Sequence, residues 1–189
     1  MALNPLTLPA PMPGAGFACW SESIELVTTT APEFIDLTER VEEIIARSAV
    51  TDGLAIVFSR HTTAAITLNE CEPLLMVDMA EFLDRLAPRV HDYRHNDFSV
   101  RTVNMTPDES PNGHAHCLQL ALGASQTIPI RDGRLMLGQW QRVFMVELDH
   151  ARRREAVVQA FGLATGNGLA PVDLHRSGTR ARVNGSRQS

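Results

Sequence analysis

Three stretches of the chain carry imidazoles that could share one ligand. His61 follows a short apolar run, His95 stands in Tyr93-Arg94-His95-Asn96-Asp97, and His114 and His116 form a His-x-His pair. Imidazole nitrogen suits zinc and related divalent ions. Three protein ligands with one open position is the catalytic arrangement, in which bound water becomes a nucleophile or a substrate oxygen is polarised. Local structure decides how the pair acts: on a strand, residues two apart share a face, whereas on a helix they stand about 200° apart and only one reaches a common site. The same spacing also describes hydrogen-bonded structural histidines and solvent-facing ones, and both readings stay open.

Other reactive side chains are sparser. Glu70 and Asp78 could serve as general base or as groups that orient a metal ligand, although acids at a strand end or on a helix usually face solvent. Arg152-Arg153-Arg154 is compact enough to clamp a phosphate, but three charges at a turn are also commonly just solvated. Ser59 and Cys71 lack the local context of a nucleophile, and no glycine-rich phosphate cradle is present. Cys19, Cys71 and Cys117 are odd in number and far apart, which argues against a disulfide framework. All 17 basic residues are arginine, so lysine Schiff-base chemistry is excluded.

The elements that must position these groups can be read from periodicity. The chain of 189 residues, 44% hydrophobic and 21% charged, is long enough for one domain with a real core. Residues 1–16, rich in proline and glycine, read as a flexible arm. Residues 165–189, with four arginines against one aspartate and no hydrophobic period, read as a disordered basic tail. Residues 17–164 form the folded domain. It opens on a strand over residues 17–30, followed by a helix that starts at Pro32 and carries Ile35, Val41, Ile44 and Ile45 on one face. Apolar runs at 53–58 and 64–68 predict two buried strands flanking His61-Thr62-Thr63. A second helix is predicted from Pro73 to Leu86, ended by Pro88. Residues 90–112 read as a long functional loop, 113–122 as a helical segment, 126–130 as a strand leading into an Arg131-Asp132-Gly133 turn, 135–148 as a stretch holding an alternating Val143-Phe144-Met145-Val146 segment, and 155–161 as the last strand. This order, without regular β-α-β alternation, predicts an α+β domain of mixed or antiparallel sheets packed with helices. A formal charge of −5 and 5% aromatic residues argue against a nucleic-acid partner. The lack of a long apolar run or a secretory leader argues against a membrane and for a cytoplasmic protein.

Several motifs together resemble those of the YjbQ family, also described as secondary thiamine-phosphate synthases. The signature-like stretch runs Ser125-Gln126-Thr127-Ile128-Pro129-Ile130-Arg131-Asp132-Gly133-Arg134-Leu135-Met136-Leu137-Gly138-Gln139-Trp140-Gln141, with Gln139 where the family usually has threonine. The resemblance continues through His61-Thr62-Thr63, Asn69-Glu70, Asp78-Met79, Tyr93-Arg94-His95, Gly113-His114-Ala115-His116 and the Arg152-Arg153-Arg154 run, covering about residues 17–162. The segment Asn104-Met105-Thr106-Pro107-Asp108-Glu109-Ser110-Pro111 looks like an insertion relative to shorter relatives.

What the resemblance implies is a single YjbQ-like domain forming a homotrimer. His61, His95 and His116 match the family's recurrent histidines and would hold a divalent metal, zinc or, with a diphosphate substrate, magnesium. His114 matches a position that varies. The implied activity joins an aminopyrimidine methyl diphosphate to a thiazole phosphate with release of pyrophosphate. Glu70 or Asp78 would stand near the site, and Arg94, Arg152, Arg153 and Arg154 would neutralise the phosphates. Two alternatives stand beside it: a metal-dependent hydrolase of a small phosphorylated metabolite, and a non-catalytic trimer that binds a metal or metabolite.

Overall fold

The computed structural model describes residues 15–165. The predicted arm lies outside these residues except for its last two, and the predicted tail except for its first.

Strand β1 (Ala15–Val27) opens the chain, and β2 (Glu33–Asp36) and helix α1 (Thr38–Ser48) follow. Then come β3 (Val50–Ser59), β4 (Ala64–Asn69), α2 (Pro73–Leu86), a 3₁₀ turn at Arg94–Asn96, and α3 (Gly113–Leu122). The chain ends in β5 (Ser125–Arg131), β6 (Arg134–Leu135), β7 (Arg142–Glu147) and β8 (Arg153–Thr165). A five-stranded sheet runs β1-β8-β3-β5-β6 and a three-stranded one β2-β7-β4, with every pairing antiparallel. The α+β class read from the sequence is the class observed.

Local chemistry explains most element boundaries. Helix α2 begins where the Glu72 carboxylate accepts the Leu74 and Leu75 amides, with Pro73 in the first turn, and it stops just short of Pro88. The β5–β6 hairpin turns on Asp132 and Gly133, both at positive φ, as a two-residue turn requires. Val41, Ile44, Ile45 and Ser48 put the buried stripe of α1 on the larger sheet.

One expectation fails at the start of that helix. Pro32 does not open it: Phe34 and Ile35 belong to β2, which pairs with β7 from Glu33↔Glu147 to Asp36↔Phe144. Pairing with a buried strand satisfies the backbone there, and helical spacing at one residue cannot compete with it. Asp36 Oδ1 then accepts the Thr38 amide at 2.8 Å, and the helix starts at that point.

The segment at 143–146, expected to alternate, is buried on both faces. As the middle strand of the smaller sheet, β7 turns Val143 and Met145 into the core shared with the larger sheet. Its other face turns Phe144 and Val146 into a second cluster with Leu83, Ala115 and Leu118 of the helices. A strand covered on both sides has no polar face to show. This layering matters for function because β7 ends at Glu147, beside the start of β4 (Ala64↔Glu147) and close to the β3–β4 connection that carries His61.

Candidate functional site

Three connections, together with the head of α3 and the start of β8, meet at one end of the two sheets around an open pocket of about 830 Å³. The β3–β4 connection contributes Arg60 and His61. The 3₁₀ turn contributes Arg94 and His95, the following loop Arg101 and Glu109, the head of α3 Asn112 and His116, the β7–β8 connection Arg152, and the start of β8 Arg154.

Two of the histidines meet directly. The rings of His95 and His116 lie 4.7 Å apart between centroids at 67°. Gly113 allows this approach: its amide donates to Asn96 Oδ1 at 2.9 Å, and a Cβ there would lie 2.6 Å from the Cβ of Tyr93, so only glycine lets the 3₁₀ turn dock on α3. His114, two residues earlier, is buried and does not line the pocket, as helical spacing requires. Burial lowers the pKa of His116, and the neighbouring His95 lowers it further.

His61 lines the same pocket but is already occupied. Its Nε2 accepts the Glu155 backbone amide at 2.9 Å, so the ring is neutral with its proton on Nδ1. Burial and then the Arg154 charge depress its pKa. Among the described residues no three His, Cys, Asp or Glu side chains converge on a point that could hold a metal ion. The three-histidine centre is therefore not assembled within one chain, because one of its three nitrogens is spent on the backbone.

The arginine run divides by strand geometry. Side chains alternate across a strand, so Arg153 does not line the pocket with Arg152 and Arg154; it lines an adjoining, smaller depression with Glu25 and Val27 that shares His61 and Arg154 with the pocket. Arg154 is 4% exposed and its guanidinium grips the fully buried Glu147 and the Thr63 hydroxyl, so it acts as a buried strut. Burial alone would raise the Glu147 pKa, but the hydrogen bonds from Arg154 and the Asp149 amide bring it below the usual carboxylate value. Arg152 is tied to Asp149 at 2.6 Å, Arg101 to Glu109 at 2.9 Å and Arg60 to Glu155 at 3.0 Å. Arg94 reaches the pocket with no carboxylate partner among the described residues.

Glu70 and Asp78 are placed elsewhere. Glu70 follows β4 at the end opposite His61, about 20 Å along a six-residue strand, and it lines a separate depression with Glu72 and Trp140. Asp78 is exposed on α2. Neither carboxylate lines the histidine pocket of its own chain, because the length of β4 separates the His-Thr-Thr and Asn-Glu motifs. Sequence reasoning missed Glu147, Asp149 and Asn112. A legible signal existed for the first two, which are acids closing an apolar strand where a charge needs a buried partner.

An α+β domain with two antiparallel sheets packed with three helices is the architecture of a known group of proteins. The family model described as UPF0047 protein YjbQ-like matches residues 22–163. The chain is 35% identical over 139 residues to the UPF0047 protein MJ1081 of Methanocaldococcus jannaschii, covering 73% of this chain and 91% of that one. It is 32% identical over 143 residues to YugU of Bacillus subtilis, covering 75% and 98%. Among solved structures it resembles a YbjQ-like protein of unknown function from Sulfolobus solfataricus, with a TM-score of 0.71 and 31% identity over 78% of this chain and 99% of that one. The chain belongs to the YjbQ (UPF0047) family.

Proposed function

We propose that the pocket binds a small phosphorylated metabolite and that the protein is a transferase of the thiamine-phosphate synthase kind. The observation that carries this reading is one guanidinium left over: of the five arginines that line the pocket, Arg60, Arg101, Arg152 and Arg154 are each paired with a carboxylate, and Arg94 has no carboxylate partner among the described residues. Guanidinium groups fixed in place before the reaction stabilise the charge that develops on a departing diphosphate. In the reaction, the bond from the aminopyrimidine methylene carbon to oxygen breaks, its electron pair leaves with the pyrophosphate, and the thiazole nitrogen bonds to that carbon. No proton has to move for that exchange. The neutral His116 keeps one N–H to donate to a phosphate oxygen, and Arg94 supplies the unpaired positive charge.

A divalent ion belongs to this reading as the magnesium that accompanies a diphosphate substrate. A zinc centre at His61, His95 and His116 does not, given the Glu155 amide on His61. A homotrimer and a cytoplasmic setting belong to the same proposal. Phe17, Leu54, Phe58 and Leu163 stand exposed on the outer face of the larger sheet, which favours burial against further copies, and the three free, exposed cysteines suit a reducing compartment. No helix among the described residues is long and apolar enough to cross a membrane.

The test is turnover. Incubation with both substrates and magnesium yields thiamine phosphate and pyrophosphate in equal amounts under this reading. Release of phosphate without coupling would replace it with hydrolysis. The neutral imidazole of His116, able to take a proton from water, favours that second reaction.

A further inference from the structure

Residues 98–111 join the 3₁₀ turn to α3 and give Arg101, Val103, Asn104 and Glu109 to the lining of the pocket. No apolar core orders this segment. Phe98, Val100, Val103 and Met105 are all exposed, and no residue of the segment belongs to either buried cluster. Its hydrogen bonds run within the segment or back to its base at His95 and Asp97, and among the described residues none reaches a sheet or an α-helix.

What folds the segment is one ion pair, Arg101 with Glu109, whose side chains are 13% and 14% exposed. Arg101 donates to Glu109 Oε1 at 2.9 Å, to the Asn104 carbonyl at 2.9 Å and to the His95 carbonyl at 3.4 Å. The second Glu109 oxygen accepts from the Thr106 amide and hydroxyl, each at 3.4 Å. Glu109 is also the one carboxylate in the pocket lining among the described residues. Asp149 and Glu147, which hold Arg152 and Arg154, are buried in the body of the domain, and Glu155, which holds Arg60, stands on β8. Glu109 alone sits on a segment that can withdraw at low cost, since a lone ion pair near the surface contributes little stability. A phosphate makes the same charge-assisted bond to guanidinium as a carboxylate, with more charge and more acceptor oxygens.

We propose that Glu109 is an internal competitor for the ligand: it holds Arg101 in the place of an anion, and a phosphate entering the pocket displaces it. Displacement opens the 98–111 segment and adds the freed Arg101 to Arg94 in the site. The proposal rests on the phosphate-binding reading above and goes beyond it by assigning a gate to that pocket.

The test is calorimetric titration of pyrophosphate into wild type, Glu109→Gln and Asp108→Asn, with hydrogen exchange over residues 98–111. Glu109→Gln binds pyrophosphate about five- to tenfold more tightly than wild type, because a neutral amide competes weakly for Arg101. Asp108→Asn removes the same charge one residue away, outside the pocket lining, and changes affinity less than twofold. In wild type, which needs no variant to fold, pyrophosphate speeds exchange across the segment as the pair opens. An equal gain in both variants overturns the proposal by showing a diffuse charge effect, and unchanged or weaker binding by Glu109→Gln overturns it by showing a structural role. Unchanged or slowed exchange in wild type that binds pyrophosphate also overturns it, since the pair then stays closed. Failure of wild type and Glu109→Gln alike to bind pyrophosphate defeats the phosphate-binding reading itself, and the gate with it.

Discussion

The Glu155 backbone amide donates to His61 Nε2 across 2.9 Å, joining the β3–β4 connection to the start of β8. Protonation of His61 abolishes that acceptor and places a cation beside Arg154. The folded-state pKa is accordingly depressed below 6.5, by burial first and by Arg154 second, and burial depresses His114 and His116 in the same direction. Between the depressed values and 6.5 the unfolded chain binds more protons, so stability falls as pH drops through that window and levels off below it. Urea unfolding at pH 7.5 and at successively lower pH should show this loss, and His61→Gln should reduce it. A wild-type stability that is flat across the window would contradict the assignment.

Arg154 and Glu147 form a buried ion pair, 4% and 0% exposed. Removing one member strands the other charge, so Arg154→Met should cost about 3–5 kcal/mol in denaturant unfolding. A loss below about 1 kcal/mol, the range of a surface pair, would show that the strut is solvated.

Gly113 sets the contact between the histidines. Gly113→Ala must push Tyr93 off α3 and carry His95 away from His116, at a cost of about 1–3 kcal/mol. Without His95 beside it, the His116 pKa should rise, read by its ring proton shifts in NMR titration. An unchanged titration would mean that the glycine does not hold the pair together.

These relationships differ in how far the amino-acid order reveals them. Helices α2 and α3, the turn at Asp132-Gly133 and strands β3 and β4 are written in local chemistry: prolines at the ends, a capping carboxylate, a positive-φ glycine, short apolar runs. Strand β2 is not, because its only reason to be extended is the partner strand β7 more than a hundred residues later. The site was legible to a similar depth. Histidines at 61, 95 and 116 do share a pocket, but the sequence does not show that a backbone amide already holds one of them. Three consecutive arginines read as one clamp until the alternation of β8 turns the middle one away. Glu70 and Asp78 fall outside the pocket because motif order along the chain carries no information about the length of the strand between them.

The central claim is that the pocket at the common end of the two sheets is an anion site whose unpaired charge is Arg94. Pyrophosphate titrated into wild type, Arg94→Ala and Arg153→Ala tests it directly. The prediction is binding by wild type, about five- to tenfold weaker binding by Arg94→Ala, and no change in Arg153→Ala, whose side chain lines the other depression. Equal loss in both variants would point to a diffuse surface charge, and unchanged binding in Arg94→Ala would place the anion somewhere else.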